Sequence, residues 1–200
     1  MPRHPDPDLE ERILKAAQML WKRGGDKALT MRAVAWAAGT NTPALYRRFK
    51  DRQALVRALL LRIAARIREQ FAAGTTVEGM AEAYVDSALH EPHEYELFYT
   101  NARWLSPPKR AKLQPIRESR PNFGFVEQQL AARLGGRPED HTQLALAMWA
   151  TLHGATMLLL SKSIPQGHEE ELRAACRCAV KALLDGAAGF PDSRFRKNKE

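Results

Sequence analysis

The segment Thr42-Pro43-Ala44-Leu45-Tyr46-Arg47-Arg48-Phe49 carries a hydroxyl, a phenol and two guanidiniums in one short stretch. Leu45 and Phe49 lie four apart, so a helix here buries one face through them. Thr42, Ala44, Tyr46, Arg47 and Arg48 then fall on the remaining faces. Such a helix can enter a major groove and hold phosphates. The chemistry on offer is recognition of a polyanion, not the making of bonds. The sequence holds no glycine-rich phosphate loop, no Gly-x-Ser-x-Gly and no His-Glu-x-x-His. It is therefore read as a non-enzyme, with no catalytic residue and no cofactor assigned.

Two other clusters invite chemistry and give little. His90-Glu91-Pro92-His93-Glu94 has metal-binding side chains, but Pro92 interrupts it at a helix start and no Cys is near in sequence. No metal site is assigned there. Cys176 and Cys178 are two apart on a helix, so they point to different faces and form neither an ordinary disulfide nor a zinc pair. They are read as packing residues in a reducing, cytoplasmic setting.

Charge supports the polyanion reading. The chain has 200 residues and a net charge of +8. Residues 1–72 hold 15 Lys+Arg against 7 Asp+Glu, and residues 73–200 hold 16 of each. The whole excess lies in the first third. A basic segment joined to a neutral one reads as a nucleic-acid-binding module attached to something else; a merely solvated basic surface is the plainer alternative. With 44% hydrophobic and 27% charged residues, the composition is that of a globular protein and excludes collagen-like, disordered and disulfide-scaffold classes. Residues 1–11 carry Asp and Glu and no apolar run, unlike a signal peptide. The longest apolar region, 144–160, is interrupted by Thr151, His153, Gly154 and Thr156, so no membrane span is expected.

The elements that must position these residues are helices. Leu9, Ile13, Ala16, Ala17 and Leu20 share a face, and Gly24-Gly25-Asp26 stops that helix. Thr30 caps a second helix over 31–38, ended by Gly39. Asn41 caps the third, with Pro43 in its first turn. Small Ala35 and Ala38 let helices two and three cross closely, which is a helix-turn-helix plan. Asp51 opens a fourth helix to about residue 71, with Leu55, Leu59, Ile63 and Ile67 every four residues. Beyond Gly74-Thr75-Thr76 the spacing predicts helices over 77–89, 92–104, 125–134, 139–163 and 169–184, with 109–123 hard to read. The expectation is an all-α protein of about nine helices, with no strand and no repeat.

Thr30-Met31-Arg32-Ala33-Val34-Ala35-Trp36-Ala37-Ala38-Gly39, then Leu45-Tyr46-Arg47-Arg48-Phe49 and Asp51-Arg52-Gln53-Ala54-Leu55, resembles the DNA-binding region of the tetracycline-repressor (TetR) family. The first helix, through Ile13-Leu14, Ala16-Ala17, Leu20-Trp21 and Gly24, fits as well. The resemblance spans about residues 9 to 58. It implies an N-terminal three-helix DNA-binding domain over 9–55, with the helix-turn-helix at 30–49. A connecting helix over 56–72, a C-terminal ligand-binding and dimerisation domain over 73–190 and a flexible tail over 191–200 follow. It implies a homodimeric transcriptional regulator, a repressor released from a palindromic double-stranded operator by a largely apolar small molecule. Residence is cytoplasmic, at the nucleoid when bound. A constitutive DNA-binding or nucleoid-associated protein without an effector is the alternative.

Carried over position by position, the resemblance places Thr30 and Arg32 near phosphates and Asn41 at the recognition-helix cap. It places Thr42, Pro43 and Ala44 nearest the bases, and Tyr46 and Arg52 on phosphates. Arg47, Arg48 and Lys50 complete the expected DNA face. Pro43, Ala44 and Thr40 depart from the family's usual residues, so the operator sequence is not inherited from relatives. Trp36 stands where the family is usually polar. Three readings stand for it: a surface accident, a contact at the DNA edge, or packing on the N-terminal lead.

The C-terminal part supplies the expected pocket and interface. Pocket candidates are the aromatic and soft residues Tyr95, Phe98, Tyr99, Trp104, Phe123, Phe125, Met148, Trp149, His153 and Met157. His153 either orients a ligand or bonds a backbone carbonyl across an interface. Leu144, Thr151, Ala155 and Leu159, with Leu172, Ala175, Ala179 and Leu183, fall at helical spacing on the last two long helices. The resemblance implies that such a pair forms the dimer seam, a four-helix bundle about a two-fold axis; a core internal to one chain is the alternative reading.

Overall fold

The computed structural model describes residues 7–73, 76–101 and 115–187. Within them the chain is helical and no strand occurs. The helices are α1 (Leu9–Ala28), α2 (Met31–Ala37), α3 (Thr42–Arg48), α4 (Arg52–Ala73), α5 (Val77–His90), α6 (Pro92–Asn101), α7 (Ile116–Ser119), α8 (Pro121–Leu134), α9 (Thr142–Leu160) and α10 (Glu169–Asp185). A short 3-10 turn, Pro138–His141, precedes α9. The expected all-α class holds; of the segment 109–123, residues 109–114 lie outside the described residues, and the rest holds the four-residue α7 and the start of α8.

The helix starts follow the capping chemistry of the sequence. Thr30 Oγ1 accepts from Ala33 N at 3.2 Å, and Asn41 Oδ1 from Ala44 N at 2.8 Å. Asp51 Oδ1 accepts from Ala54 N at 2.7 Å, and Thr76 Oγ1 from Gly79 N at 3.0 Å. Each cap satisfies a backbone donor that the helix itself leaves unpaired. Hydrogen bonding carries α1 on to Ala28, but Gly24 and Gly25 are non-helical inside it, with Gly25 at φ 57° and ψ −145°. The regular helix therefore ends where the glycine pair predicts.

Two compact units form. Among the described residues the first comprises 7–63 and 93–101, and so takes in α1, α2, α3, the first half of α4 and nearly all of α6. Its core includes Ile13, Ala17, Trp21, Val34, Leu45, Phe49, Leu55, Leu59 and Ile63, with Tyr95, Leu97 and Phe98 from α6. The inclusion of α6 departs from the expected domain division, which gave everything after residue 72 to the C-terminal part. The physical reason is a set of contacts between α6 and α1. Trp21 Nε1 donates to the His93 carbonyl. Glu94 is buried; it accepts from Gln18 Nε2 at 2.7 Å, and Lys22 Nζ stands 3.5 Å from it. Gln18 in turn accepts from Arg62 of α4 at 3.3 Å, and Arg62 pairs with Glu11.

Among the described residues the second unit comprises 64–73, 76–92 and 115–187. Val77, Ala81 and Val85 of α5, Phe123 and Leu130 of α8, and Cys176, Val180 and Leu184 of α10 meet α9 through Leu144, Ala145, Met148, Leu152 and Ala155. By length and composition alone Pro138–Leu160 is long and apolar enough to cross a membrane, a signal that the core helix of a globular protein gives as well. In the fold α9 packs against α5, α8 and α10 through one broad face, which carries Leu144, Ala145, Met148, Leu152, Ala155 and Thr156.

Candidate functional site

The first unit builds the recognition surface. In α2, Met31, Val34 and Ala35 turn inward, which leaves Arg32 and Trp36 exposed one helical turn apart. The turn into α3 uses Gly39 at φ 65°, a conformation that glycine adopts freely. Thr40 N–H donates to the Ala35 carbonyl at 2.9 Å and closes the turn against α2. In α3, Leu45 is fully buried and Phe49, just past its end, is nearly so. Pro43, Tyr46, Arg47, Arg48 and Lys50 are exposed, and Thr42 is half-buried. Tyr46 is the most open of the uncharged large residues on this helix, at 48% exposure.

Three expected contact residues sit differently from the rest. Ala44 is nearly buried, at 8%, because a seven-residue helix docked through Leu45 turns the neighbouring position inward too. Its methyl is spent on packing and not offered to bases. Asn41 is exposed, but its side chain is engaged as the cap of α3. Arg52 donates to the Leu29 carbonyl at 3.0 Å and to Asp26 Oδ1 at 2.6 Å, so its guanidinium already ties the start of α4 to the turn after α1. A phosphate there would share it. Thr30 and Arg32, at the start of α2, are exposed.

The expected pocket residues do not form one group. Tyr95, Phe98 and Tyr99 pack in the first unit, with the Tyr95 and Tyr99 rings 4.4 Å apart between centroids. Trp104 lies outside the described residues. Phe125, Met148, Trp149 and His153 are in the second unit, where Met148 is buried core. Met157 is exposed, at 45%. Trp149 and His153 are brought together by Tyr84, a residue the sequence reading did not single out. Trp149 Nε1 donates to Tyr84 Oη at 3.3 Å, and that oxygen is 3.5 Å from His153 Nδ1. Phe123 adds a ring 6.1 Å from Trp149. Burial pushes the His153 pKa below its ordinary value, which favours the neutral imidazole.

A cavity of about 240 Å³ opens elsewhere in the second unit, between α5, α9 and α10. Its apolar lining includes Val85, Leu152, Leu159, Leu172 and Val180, and Glu78, Glu82, Arg173, Arg177 and Lys181 also border it. Arg173 pairs with Asp86, Arg177 with Glu170 and Lys181 with Asp185. Leu159 and Leu172, expected at the dimer seam, line this cavity. Leu144 and Ala155, also expected at the seam, are buried in the unit's own core. Thr151, Ala179 and Leu183 are half-buried, and Ala175 is exposed. Ala150, Gly154, Met157 and Leu158 on α9, with Cys178 and Ala182 on α10, are exposed apolar or small positions; Met157 was expected in the pocket and Cys178 in packing, and none of the six was expected at the seam.

The family model described as bacterial regulatory proteins, tetR family, matches residues 13–59, and the tetracyclin repressor-like C-terminal domain model matches residues 77–183. The chain belongs to the TetR family. It is a helix-turn-helix, DNA-binding transcriptional regulator and not an enzyme. Solved structures share the fold. A protein of unknown function from Rhodococcus sp. RHA1 is 24% identical, with a TM-score of 0.64 over 93% of this chain and 98% of its own. The multidrug binding protein EbrR, complexed with imidazole, is 22% identical, with a TM-score of 0.61 over 92% of this chain and 93% of its own. A TetR variant from Acinetobacter baumannii AYE, in complex with minocycline, is 19% identical, with a TM-score of 0.58 over 90% and 97%. No curated protein matches this chain in sequence.

Proposed function

We propose that this TetR-family chain is a homodimeric repressor that leaves a palindromic operator when a small, largely apolar molecule binds its second unit. The observation that carries the reading is the α2–α3 surface. Exposed Arg32, Pro43, Tyr46, Arg47 and Arg48 stand on helices whose inner faces are packed, and exposed Lys50 follows just past the end of α3. A rigid scaffold presenting cations and a phenol is what phosphate and base-edge contacts need. Tyr46 and the arginines hold the backbone, while Thr42 and Pro43 meet base edges.

A ligand-responsive second unit is supported by its apolar cavity and by the Tyr84–Trp149–His153 group, and by relatives solved with imidazole and minocycline. The small and apolar exposed positions on α9 and α10 suit a helical seam with a second copy. Two recognition helices must sit roughly 34–36 Å apart to meet successive major grooves. A ligand that prefers a different spacing shifts the population away from that geometry, to the extent of its differential affinity for the two states. Helix α4, which runs from the recognition unit into the second, is the element we assign to carry the shift.

The test is selection of bound duplexes from a random-sequence pool, followed by footprinting at near-physiological salt, where non-specific binding is weak. A discrete inverted repeat is the expected result. Uniform coating without a preferred site would sink the regulator reading. A specific site that no small-molecule panel releases would favour the constitutive DNA-binding alternative.

A further inference from the structure

Trp36 stands out among the described residues as the most exposed large hydrophobic side chain, at 85%. It lies on α2, whose Met31, Val34 and Ala35 supply the packed face. Its ring therefore adds little to the folding of the unit, and its replacement should leave the fold intact. Its carbonyl accepts from Gly39 N–H at 3.1 Å, which puts it at the end of α2 that leads into the turn before α3. Arg32, one turn back on the same side, is exposed as well.

An indole left in water is an unused contact of roughly 150–250 Å². The choice of partner follows from its surroundings. It sits in the segment 1–72, which carries the chain's entire net charge of +8. It adjoins the surface read above as the DNA face. In a helix-turn-helix the first of the two helices crosses the sugar–phosphate backbone while the second enters the groove. A ring on the exposed side of that first helix, beside an arginine, meets deoxyribose and not base edges. Its Nε1–H is a donor without acceptor capacity, which suits a phosphate oxygen.

We propose that Trp36 is a DNA-contact residue, its ring packed on backbone deoxyribose at the edge of the groove that α3 enters and its Nε1–H donated to a phosphate. The proposal rests on α2 and α3 being the DNA reader. It assigns Trp36 to affinity and not to sequence choice. Because an indole displaces no counterion, its contribution is independent of salt, unlike that of Arg32.

The experiment uses the full chain and two duplexes of equal length, the selected operator and a scrambled sequence. Affinities are measured across a salt series for the wild type, Trp36→Ala, Trp36→Phe and Arg32→Ala. Trp36→Ala should weaken binding to both duplexes by about tenfold with an unchanged salt slope, as expected for loss of an apolar contact. Trp36→Phe should fall between, since it keeps a ring and loses the donor. Arg32→Ala should lower the slope by about one. Thermal unfolding of Trp36→Ala should match the wild type. Equal affinity of Trp36→Ala and wild type on both duplexes overturns the proposal. So does a loss confined to cooperative filling of adjacent sites, which would mark a protein–protein contact, or a changed base preference with scrambled-duplex affinity intact. If the wild type selects no sequence, the operator reading fails first; Trp36 is then judged on the scrambled duplex alone, where an unchanged affinity overturns it.

Discussion

Tyr46, Thr42 and Ala44 occupy neighbouring positions on one short helix and have different work. The exposed phenol of Tyr46 can reach a phosphate, which every sequence offers, so Tyr46→Phe should weaken all duplexes alike. Thr42 is half-buried at the start of α3. Thr42→Ala should change base preference at one operator position, with about 1–3 kcal/mol of discrimination at stake. Repeating the duplex selection with each variant checks both. A Tyr46→Phe protein with altered preference and unchanged general affinity would reverse the assignment. His153 makes a pH prediction. Burial lowers its pKa below 6.5, so as pH falls the unfolded chain takes up this proton before the folded one. The stability His153 contributes is whole above about pH 6.5 and is lost as pH falls from there toward its lowered folded value. Denaturant unfolding of wild type and His153→Gln between pH 7 and 5 should show a weaker pH dependence in the variant. Parallel curves would remove His153 from the account.

At the scale of elements, the turn between α2 and α3 depends on one backbone angle. A Cβ placed on Gly39 would meet nothing within 4 Å, so Gly39→Ala tests conformation alone. It should cost on the order of 1–2 kcal/mol, the expense of the left-handed region for an L-residue, read as a lowered midpoint in chemical denaturation. The caps at Thr30, Asn41 and Asp51, the glycine stop after α1 and the inward pair Leu45–Phe49 were legible in the sequence because each is a local rule acting within four residues. Which residues of α2 and α3 stay exposed was largely legible for the same reason. Ala44 escaped because its burial depends on how tightly α3 seats, and Arg52 because its partners Asp26 and Leu29 are more than twenty residues away. Tyr84 escaped because nothing in α5 signals that it will meet Trp149 and His153 of α9. Of the expected seam residues, Leu144 and Ala155 went to the inner side. Periodicity shows that α9 has an apolar face but not which of two apolar faces turns inward.

For the whole molecule, assembly is the property most open to test. Gly154 is exposed on α9, and a Cβ there would meet nothing within 4 Å, so the protomer accommodates a side chain. Gly154→Glu should leave the protomer folded and place two like charges near a two-fold seam. Sedimentation should find a dimer for the wild type and a monomer for the variant, with operator affinity falling because half-sites are no longer linked. A variant that stays dimeric would move the seam elsewhere.

The seating of α6 on α1 bears on how such a protein could be taken apart or recombined. A fragment ending after α4 would carry α1 without its lid: the Trp21 indole would lose its acceptor on His93, and Gln18 and Lys22 would lose the Glu94 carboxylate. The recognition head is thus not a cassette defined by a single cut. A chimera that grafts it onto a foreign sensor must bring residues 93–101 along, or rebuild α1's outer face to live in water.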